Sequence, residues 1–326
     1  MHMVILGAGR GLINTIRAVR PLAKRITVVV PSSNDTGIDA LIRRMGPFPG
    51  AATALQIIQL FGTDAAAGRL MQQVFPPFGT PYDHVPFAVL DTMAHALALG
   101  SLSEAIQRLR GITHCELDVL LASEQVHDVL VRGDSPHPEP SSIYFGRPHT
   151  GAVQSVTLDP PVDAHAAVIH ALKTADAVVI APGALYRDVL PTLMPEGIAE
   201  TLRSMRGRVL CIAGLTTVPS QTDAFRAVDY VARIARALGR GAIDVALLNT
   251  QGYGTDELAI LRSAKSTPMR YEAGDREVLD ALGVGFVGRD LRAPRRIGAE
   301  WDVATLTSHD ELELRMGCMM ALKDAS

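Results

Sequence analysis

Residues 175–195 read ADAVVIAPGALYRDVLPTLMP. Ala177–Ile180 is an unbroken apolar run rich in β-branched residues, the pattern of a strand buried on both faces, which needs helices above and below it. The run stops at Pro182-Gly183 and a helical pattern follows. A strand that enters a Pro/Gly turn and then opens a helix leaves backbone N–H groups unpaired and aimed outward, a natural seat for an anion such as a phosphate. A chain reversal without a ligand would also explain the turn. It would not explain why Tyr186, Arg187 and Asp188 crowd into the first helical turn after Gly183.

The same strand–turn–helix order opens the chain. Met3–Leu6 is an apolar strand, and Gly7-Ala8-Gly9-Arg10-Gly11-Leu12 follows at once. Ile13, Ile16 and Val19 then keep helical spacing until Pro21, and Ile26–Val30 is a second strand. This is a βαβ unit, so the predicted class is α/β, a Rossmann-like three-layer αβα arrangement with a mostly parallel central sheet. The glycine run matches a dinucleotide fingerprint only in part. Leu12 stands where the third glycine belongs, and Val30-Pro31-Ser32 offers no acid for a ribose hydroxyl. A tight turn approaching a phosphate or another backbone segment is the better reading.

Further strands are predicted at Val153–Leu158, Arg208–Ala213 and Ala242–Leu248, and a β-hairpin at Glu116–Ala122 and Val126–Val131. Helices are predicted at Ala51–Phe61, Phe87–Leu99, Ser101–Leu109, Asp163–Leu172 and Ala224–Leu238. Polar loops follow two of the strands. Ser32-Ser33-Asn34-Asp35-Thr36-Gly37 comes after the second, where Asp35 is either a turn residue or a metal ligand. Thr216–Asp223 comes after Arg208–Ala213, where Thr222 and Asp223 either cap the next helix or line a site. From Asn249 a shallow tail runs through Leu282-Gly283-Val284-Gly285-Phe286.

Composition narrows the partners. A net charge of −3 with interspersed signs leaves no basic stripe for nucleic acid. No apolar run reaches the roughly 18 residues of a membrane span. The opening MHMVILGAG has neither the basic flank nor the cleavage site of a signal peptide, so a cytoplasmic location is expected. Cys115, Cys211 and Cys318 are too widely spaced for a metal knuckle and odd in number for a disulfide framework. Short apolar segments outside the sheet pattern leave a homodimer open.

Several segments together resemble the CofD-like family, which includes the YvcK-type gluconeogenesis factors and the 2-phospho-L-lactate transferase of coenzyme F420 synthesis. Residues 175–202 resemble the YvcK branch's strand, Pro-Gly-Ser-Leu-Tyr and helix running to Pro-Gly-Ile. Gly7–Leu12 is similar to its Gly-Gly-Gly-Thr-Gly-Leu, and Thr222-Asp223-Ala224-Phe225 with Asp229 to its Thr-Asp-Gly-Tyr and following Asp. The order holds from about residue 3 to residue 290. The resemblance implies a single α/β domain over 1–326 with a helical and hairpin insertion at about 76–150. Its strand-end loops would bind a nucleoside diphosphate compound: a UDP-sugar held for regulation in the YvcK branch, or a GDP-linked phospholactate used by the transferase with a divalent metal. The chain departs from the pattern where the family has an acidic pair after the second strand and Pro-Pro-Gly-Asp-Ile-Arg-Asn later. Here stand Ser32-Ser33-Asn34-Asp35 and Phe48-Pro49-Gly50-Ala51-Ala52-Thr53, and the family's mid-chain histidine motif is reduced to His84.

The expected site therefore has phosphates near Gly7, Gly9, Gly11, Leu12 and the stretch Pro182, Gly183, Ala184, Leu185 and Tyr186. Asn34, Asp35, Asp188, Thr217, Thr222 and Asp223 would line the rest. A regulatory nucleotide-sugar binder is the first expectation. The alternative is a transferase of phosphorus-containing groups, with Asp35 as catalytic metal ligand for Mg2+ and Asp188 or Asp223 assisting.

Overall fold

The computed structural model describes residues 1–33, 37–74, 76, 79, 83–133, 135, 137–147, 152–294 and 302–323. Among the described residues ten strands are formed: β1 (His2–Leu6), β2 (Arg25–Val30), β3 (Asp118–Leu121), β4 (Asp128–Arg132), β5 (Glu139–Pro140), β6 (Ser155–Asp159), β7 (Ala177–Ile180), β8 (Arg208–Ile212), β9 (Val245–Asn249) and β10 (Gly285–Arg289). Seven make one sheet in the order β10-β9-β8-β7-β1-β2-β3, and every pairing in it is parallel. The remaining three form a small antiparallel sheet, β5-β4-β6.

Strand alternation sends successive side chains to two separate cores. Met3, Ile5, Val28, Val30, Val179 and Leu210 pack on one face, under the helices Gly9–Val19, Ala52–Phe61, Phe87–Leu99 and Leu102–Ile112. Val4, Leu6, Val29, Val178, Ile180 and Val209 pack on the other, under Ala166–Thr174, Ile198–Ser204 and Ala227–Leu238. Both faces are covered, which is why these strands read as continuous apolar runs. The α/β class with a Rossmann-like three-layer arrangement is what the sequence predicts.

The strand order also fixes where a ligand can enter. The chain proceeds from β1 to β2 and β3 in one direction. It returns at β7, on the opposite side of β1, and proceeds outward through β8, β9 and β10. Connections leaving β1 and β7 therefore diverge, and a crevice opens between them at the strands' carboxyl ends.

Two expectations are corrected. The hairpin at 116–131 does not form: β3 joins β2 in parallel, pairing Thr27 with Asp118 through Val30 with Leu121, while β4 leaves to pair with β6. Val119 and Leu121 are buried in the first core, and that long-range burial outweighs a local turn signal. The tail after Asn249 is not shallow. It contains the helices Thr255–Ser263 and Asp275–Leu282, strand β10 and the helix Glu311–Lys323. That last helix lies on the sheet through Leu314, Gly317, Cys318 and Ala321, all buried. A Cβ on Gly317 would sit 2.7 Å from both methyls of Leu247, so the glycine sets how closely this helix approaches.

Candidate functional site

Two helices begin at the mouth of the crevice. The first, Gly9–Val19, starts directly after β1, with Ala8 as N-cap and no side chain capping it. The second is a continuous helical run from Leu185 to Leu193, a wide π turn followed by an α turn, with Ala184 as N-cap and again no side-chain cap. First-turn N–H groups have no intrahelical acceptor, and both macrodipoles present their positive ends here. The two turns are packed against each other. A Cβ on Gly11 would lie 1.9 Å from the Pro182 carbonyl oxygen, so only glycine permits this approach. Gly9 takes a left-handed backbone, φ +69°, and faces Asp188.

The Pro182-Gly183 turn is fastened from below. Tyr230, fully buried on the helix Ala227–Leu238, donates its hydroxyl to the Gly183 carbonyl (3.1 Å) and accepts from the Gly183 N–H (3.2 Å). Burial pushes the phenol's pKa up, so the hydroxyl keeps its proton. Gly183 therefore shapes the cradle but has no amide to offer a ligand. Tyr230→Phe leaves both groups without their partner, and it should cost about 1–3 kcal/mol in urea unfolding while leaving the core packing intact.

Arg187 and Asp188 divide the crevice. On the β8 side is a cavity of about 350 Å³ lined by Gly9, Arg10, Gly11, Pro182, Gly183, Ala184 and the loop Gly214–Pro219. On the β2 side is one of about 240 Å³ lined by Ser33, Asp39, Thr53, Ser141, Ser142 and Phe145. Arg187 and Asp188 border both. Arg187 Nε sits 3.3 Å from Asp188 Oδ1, yet its side chain is 62% exposed. Burial raises the Asp188 carboxyl above its ordinary range, against the opposing pull of Arg187.

A C-terminal segment forms the remaining wall. Val303, Thr307 and His309 line the larger cavity. Arg10 reaches across to Thr307 Oγ1 (3.2 Å), and Asn14 Nδ2 donates to the His309 carbonyl (3.4 Å). His309 is buried, and its Nε2 donates to the Ala213 carbonyl at the end of β8 (3.1 Å). Burial drives its pKa down to about 4, although the carbonyl partner opposes this. The imidazole is neutral at pH 7.

The structure brings together Gly9, Gly11, Pro182, Gly183, Ala184, Asp188 and Thr217 in or around one cavity. Gly7, in an extended turn with φ +144°, lies beneath it against Ala181. Leu12, Leu185 and Tyr186 point into the cores, the last with Arg233 stacked 5.7 Å from its ring centre, so only their backbone can face the crevice. Thr217 is buried, and its Oγ1 accepts from Thr267 N (2.9 Å). Thr222 and Asp223 neither line the crevice nor cap the helix, which starts at Ala227 with Asp229 accepting from Arg226 N. Thr222 Oγ1 accepts from Val218 N and Asp223 Oδ2 from Ser220 N, so both hold the 218–224 turn. Asn34 and Asp35 lie outside the described residues.

Sequence reasoning missed Asp39, Ser141, Ser142, Phe145 and His309. Asp39 has a traceable signal. Its Oδ1 accepts from Ala51 N and Ala52 N, at the stretch where the chain departs from the resembled pattern. Among the described residues no group of three His, Cys, Asp or Glu side chains could hold a metal ion. Nor is any described helix long and apolar enough to cross a membrane.

A family model described as 2-phospho-L-lactate transferase CofD matches residues 3–292. A Clostridium acetobutylicum protein, provisionally named a gluconeogenesis factor, is 25% identical over 293 residues, which is 87% of this chain and 63% of that protein. A Deinococcus radiodurans protein with the same provisional name is 25% identical over 328 residues, 98% of this chain and 65% of its own length. A Listeria innocua gluconeogenesis factor is 27% identical and covers 76% of this chain and 77% of itself. The chain thus spans less than two thirds of the Clostridium and Deinococcus relatives. The crystal structure of a Bacillus halodurans member of the UPF0052 family superimposes with a TM-score of 0.85 at 21% identity, covering 98% of both chains. That likeness carries the fold.

Proposed function

The chain belongs to the CofD family, and from that premise we propose that it binds a nucleoside diphosphate compound of the UDP-sugar type, in a regulatory role similar to that of the gluconeogenesis factors. The observation that carries this is the convergence of two uncapped helix N-termini, Gly9–Val19 and Leu185–Leu193, on one cavity at the strand-order reversal. A diphosphate there meets unpaired amides, two positive dipole ends and the guanidiniums of Arg10 and Arg187. The adjoining 240 Å³ cavity, with hydroxyls from Ser33, Thr53, Ser141 and Ser142 beside the Phe145 ring, suits a hydroxylated group attached to that diphosphate.

A second reading, transfer of a phosphorus-containing group, is favoured by Asp188. It stands at the junction of the two cavities, where a donor and an acceptor would meet, and burial raises its carboxyl toward acid–base use.

A thermal-shift panel separates the readings. UDP-sugars, GDP, inorganic pyrophosphate and NAD, each with and without Mg2+, are tested on the wild type and on Arg187→Glu. At about 100 times its dissociation constant a ligand adds about 2.7 kcal/mol. The binder predicts stabilisation by intact diphosphate compounds, reduced at least about tenfold in affinity by Arg187→Glu, without turnover. Cleavage of the compound under the same conditions moves the case to the transferase. A shift with NAD alone removes both.

A further inference from the structure

A separate cavity of about 290 Å³ is lined, among others, by Phe225, Arg226, Leu258, Arg262, Arg270 and Glu272. Ser266 borders both this cavity and the larger one of the crevice, so the two share a wall. Three arginines meet one acid here, and the acid is already spoken for. Arg226 Nη1 donates to the fully buried Asp275 Oδ1 (2.7 Å), with Asp229 at 3.4 Å and Glu272 at 3.9 Å. Arg262 and Arg270 are exposed, and among the described residues neither side chain has a hydrogen bond or an ion pair. Local structure turns Arg270 outward. Met269 is buried and its N–H donates to the Leu215 carbonyl (2.9 Å), so the next side chain of this extended segment points the other way. Arg262, in the last turn of the helix Thr255–Ser263, also complements that helix's dipole. Arg270 has no such service. Two uncompensated guanidiniums on one small cavity concentrate anions there.

We infer that this cavity is a second ligand site, which holds a small organic phosphate between Arg262 and Arg270. A phosphate monoester carries about −1.5 to −2 charges near pH 7, which matches two guanidiniums, whereas a monocarboxylate would leave one uncompensated. Each guanidinium presents a fork of N–H donors suited to phosphate oxygens. Phe225, Leu258 and Pro268, all partly buried, supply an apolar wall for the carbon skeleton. Occupancy is coupled to the crevice through the backbone. Thr217 N donates to the Thr267 carbonyl (2.8 Å), Thr267 N to Thr217 Oγ1 (2.9 Å) and Ser266 Oγ to the Thr217 carbonyl (2.6 Å). A ligand that fastens residues 266–270 therefore steadies the loop Gly214–Pro219, which walls the larger cavity. The site itself does not depend on what the larger cavity holds.

Calorimetric titration of the whole protein with phenyl phosphate and with inorganic phosphate tests this, with chloride as the ionic-strength control. Wild type, Arg187→Glu and the double variant Arg262→Ala/Arg270→Ala are compared. The double variant should melt with the wild type, because neither arginine side chain holds another group in place. Phenyl phosphate is expected to bind wild type and Arg187→Glu with the same affinity, more tightly than inorganic phosphate does. The double variant should lose at least about tenfold in that affinity. Hydrogen exchange in peptides covering Gly214–Pro219 should slow when phenyl phosphate is added to the wild type, and not in the double variant. No saturable binding to the wild type overturns the inference, as does equal affinity in the double variant. Binding lost in Arg187→Glu alone places the anion in the crevice, which sinks this site and leaves the crevice reading standing. Equal affinity for the two phosphates rejects an organic ligand, and unchanged exchange at Gly214–Pro219 on binding rejects the coupling.

Discussion

Gly11→Ala should destabilise the protein by about 3 kcal/mol or more, far beyond what one added methyl does at most helical positions. Helix propensity alone would favour alanine over glycine by about 1 kcal/mol. The new Cβ, however, would stand 1.9 Å from the Pro182 carbonyl oxygen and 2.8 Å from its carbon. Both are backbone atoms of a turn held by Tyr230, so neither can yield as a side-chain tip would. Either the helix Gly9–Val19 withdraws from the turn or the turn breaks its bonds to Tyr230. Both routes pull apart the two N-termini that face the crevice. Gly183→Ala is the control. Its Cβ would meet Val189 Cγ2 at 3.3 Å and Ala8 O at 3.4 Å, contacts that small shifts relieve, and its cost should stay under about 1 kcal/mol. Urea unfolding of the two variants measures the difference.

The second large effect is a pH dependence centred on His309. Its folded-state pKa of about 4 lies below the unfolded 6.5, so the unfolded chain binds the proton first. The stability this neutral imidazole preserves is present above pH 6.5 and is lost as pH falls toward about 4, to the extent of about 3 kcal/mol. Carboxylates titrate at the lower end of the same window, so the comparison is with His309→Gln, which does not titrate and can offer an amide N–H to the Ala213 carbonyl. The variant should lack the slope between pH 6.5 and 4.5, and the wild type should show it. Since His309 anchors the segment carrying Thr307 to the end of β8, the cavity wall should loosen over the same range.

The parts of this architecture that were legible in the sequence are those coded locally. Apolar, β-branched runs such as Val178–Ile180 announce a doubly covered strand, and Pro182-Gly183 marks its end. Gly7, Gly9 and Gly11 could be placed at a tight approach, although not which backbone they approach. Pairings over long separations were not legible. Whether β3 adds to β2 or folds back on β4 depends on a core assembled from residues nearly a hundred positions apart. His309 reaches the site from the far end of the chain, and nothing near it in sequence marks its role. Thr222 and Asp223 illustrate the reverse case. Small polar residues after a strand serve equally to hold a turn or to hold a ligand, and only the direction of the side chain separates the two.

The central claim is that a diphosphate rests on the two helix N-termini at the β1/β7 reversal. Amide hydrogen exchange, with and without a saturating UDP-sugar, tests it directly. Exchange should slow in peptides covering Gly9–Leu12 and Ala184–Asp188, which carry the first-turn amides of the two helices, Gly9–Gly11 and Leu185–Arg187. Unchanged exchange in both peptides, with protection elsewhere such as around Tyr253 and Arg292, would contradict it.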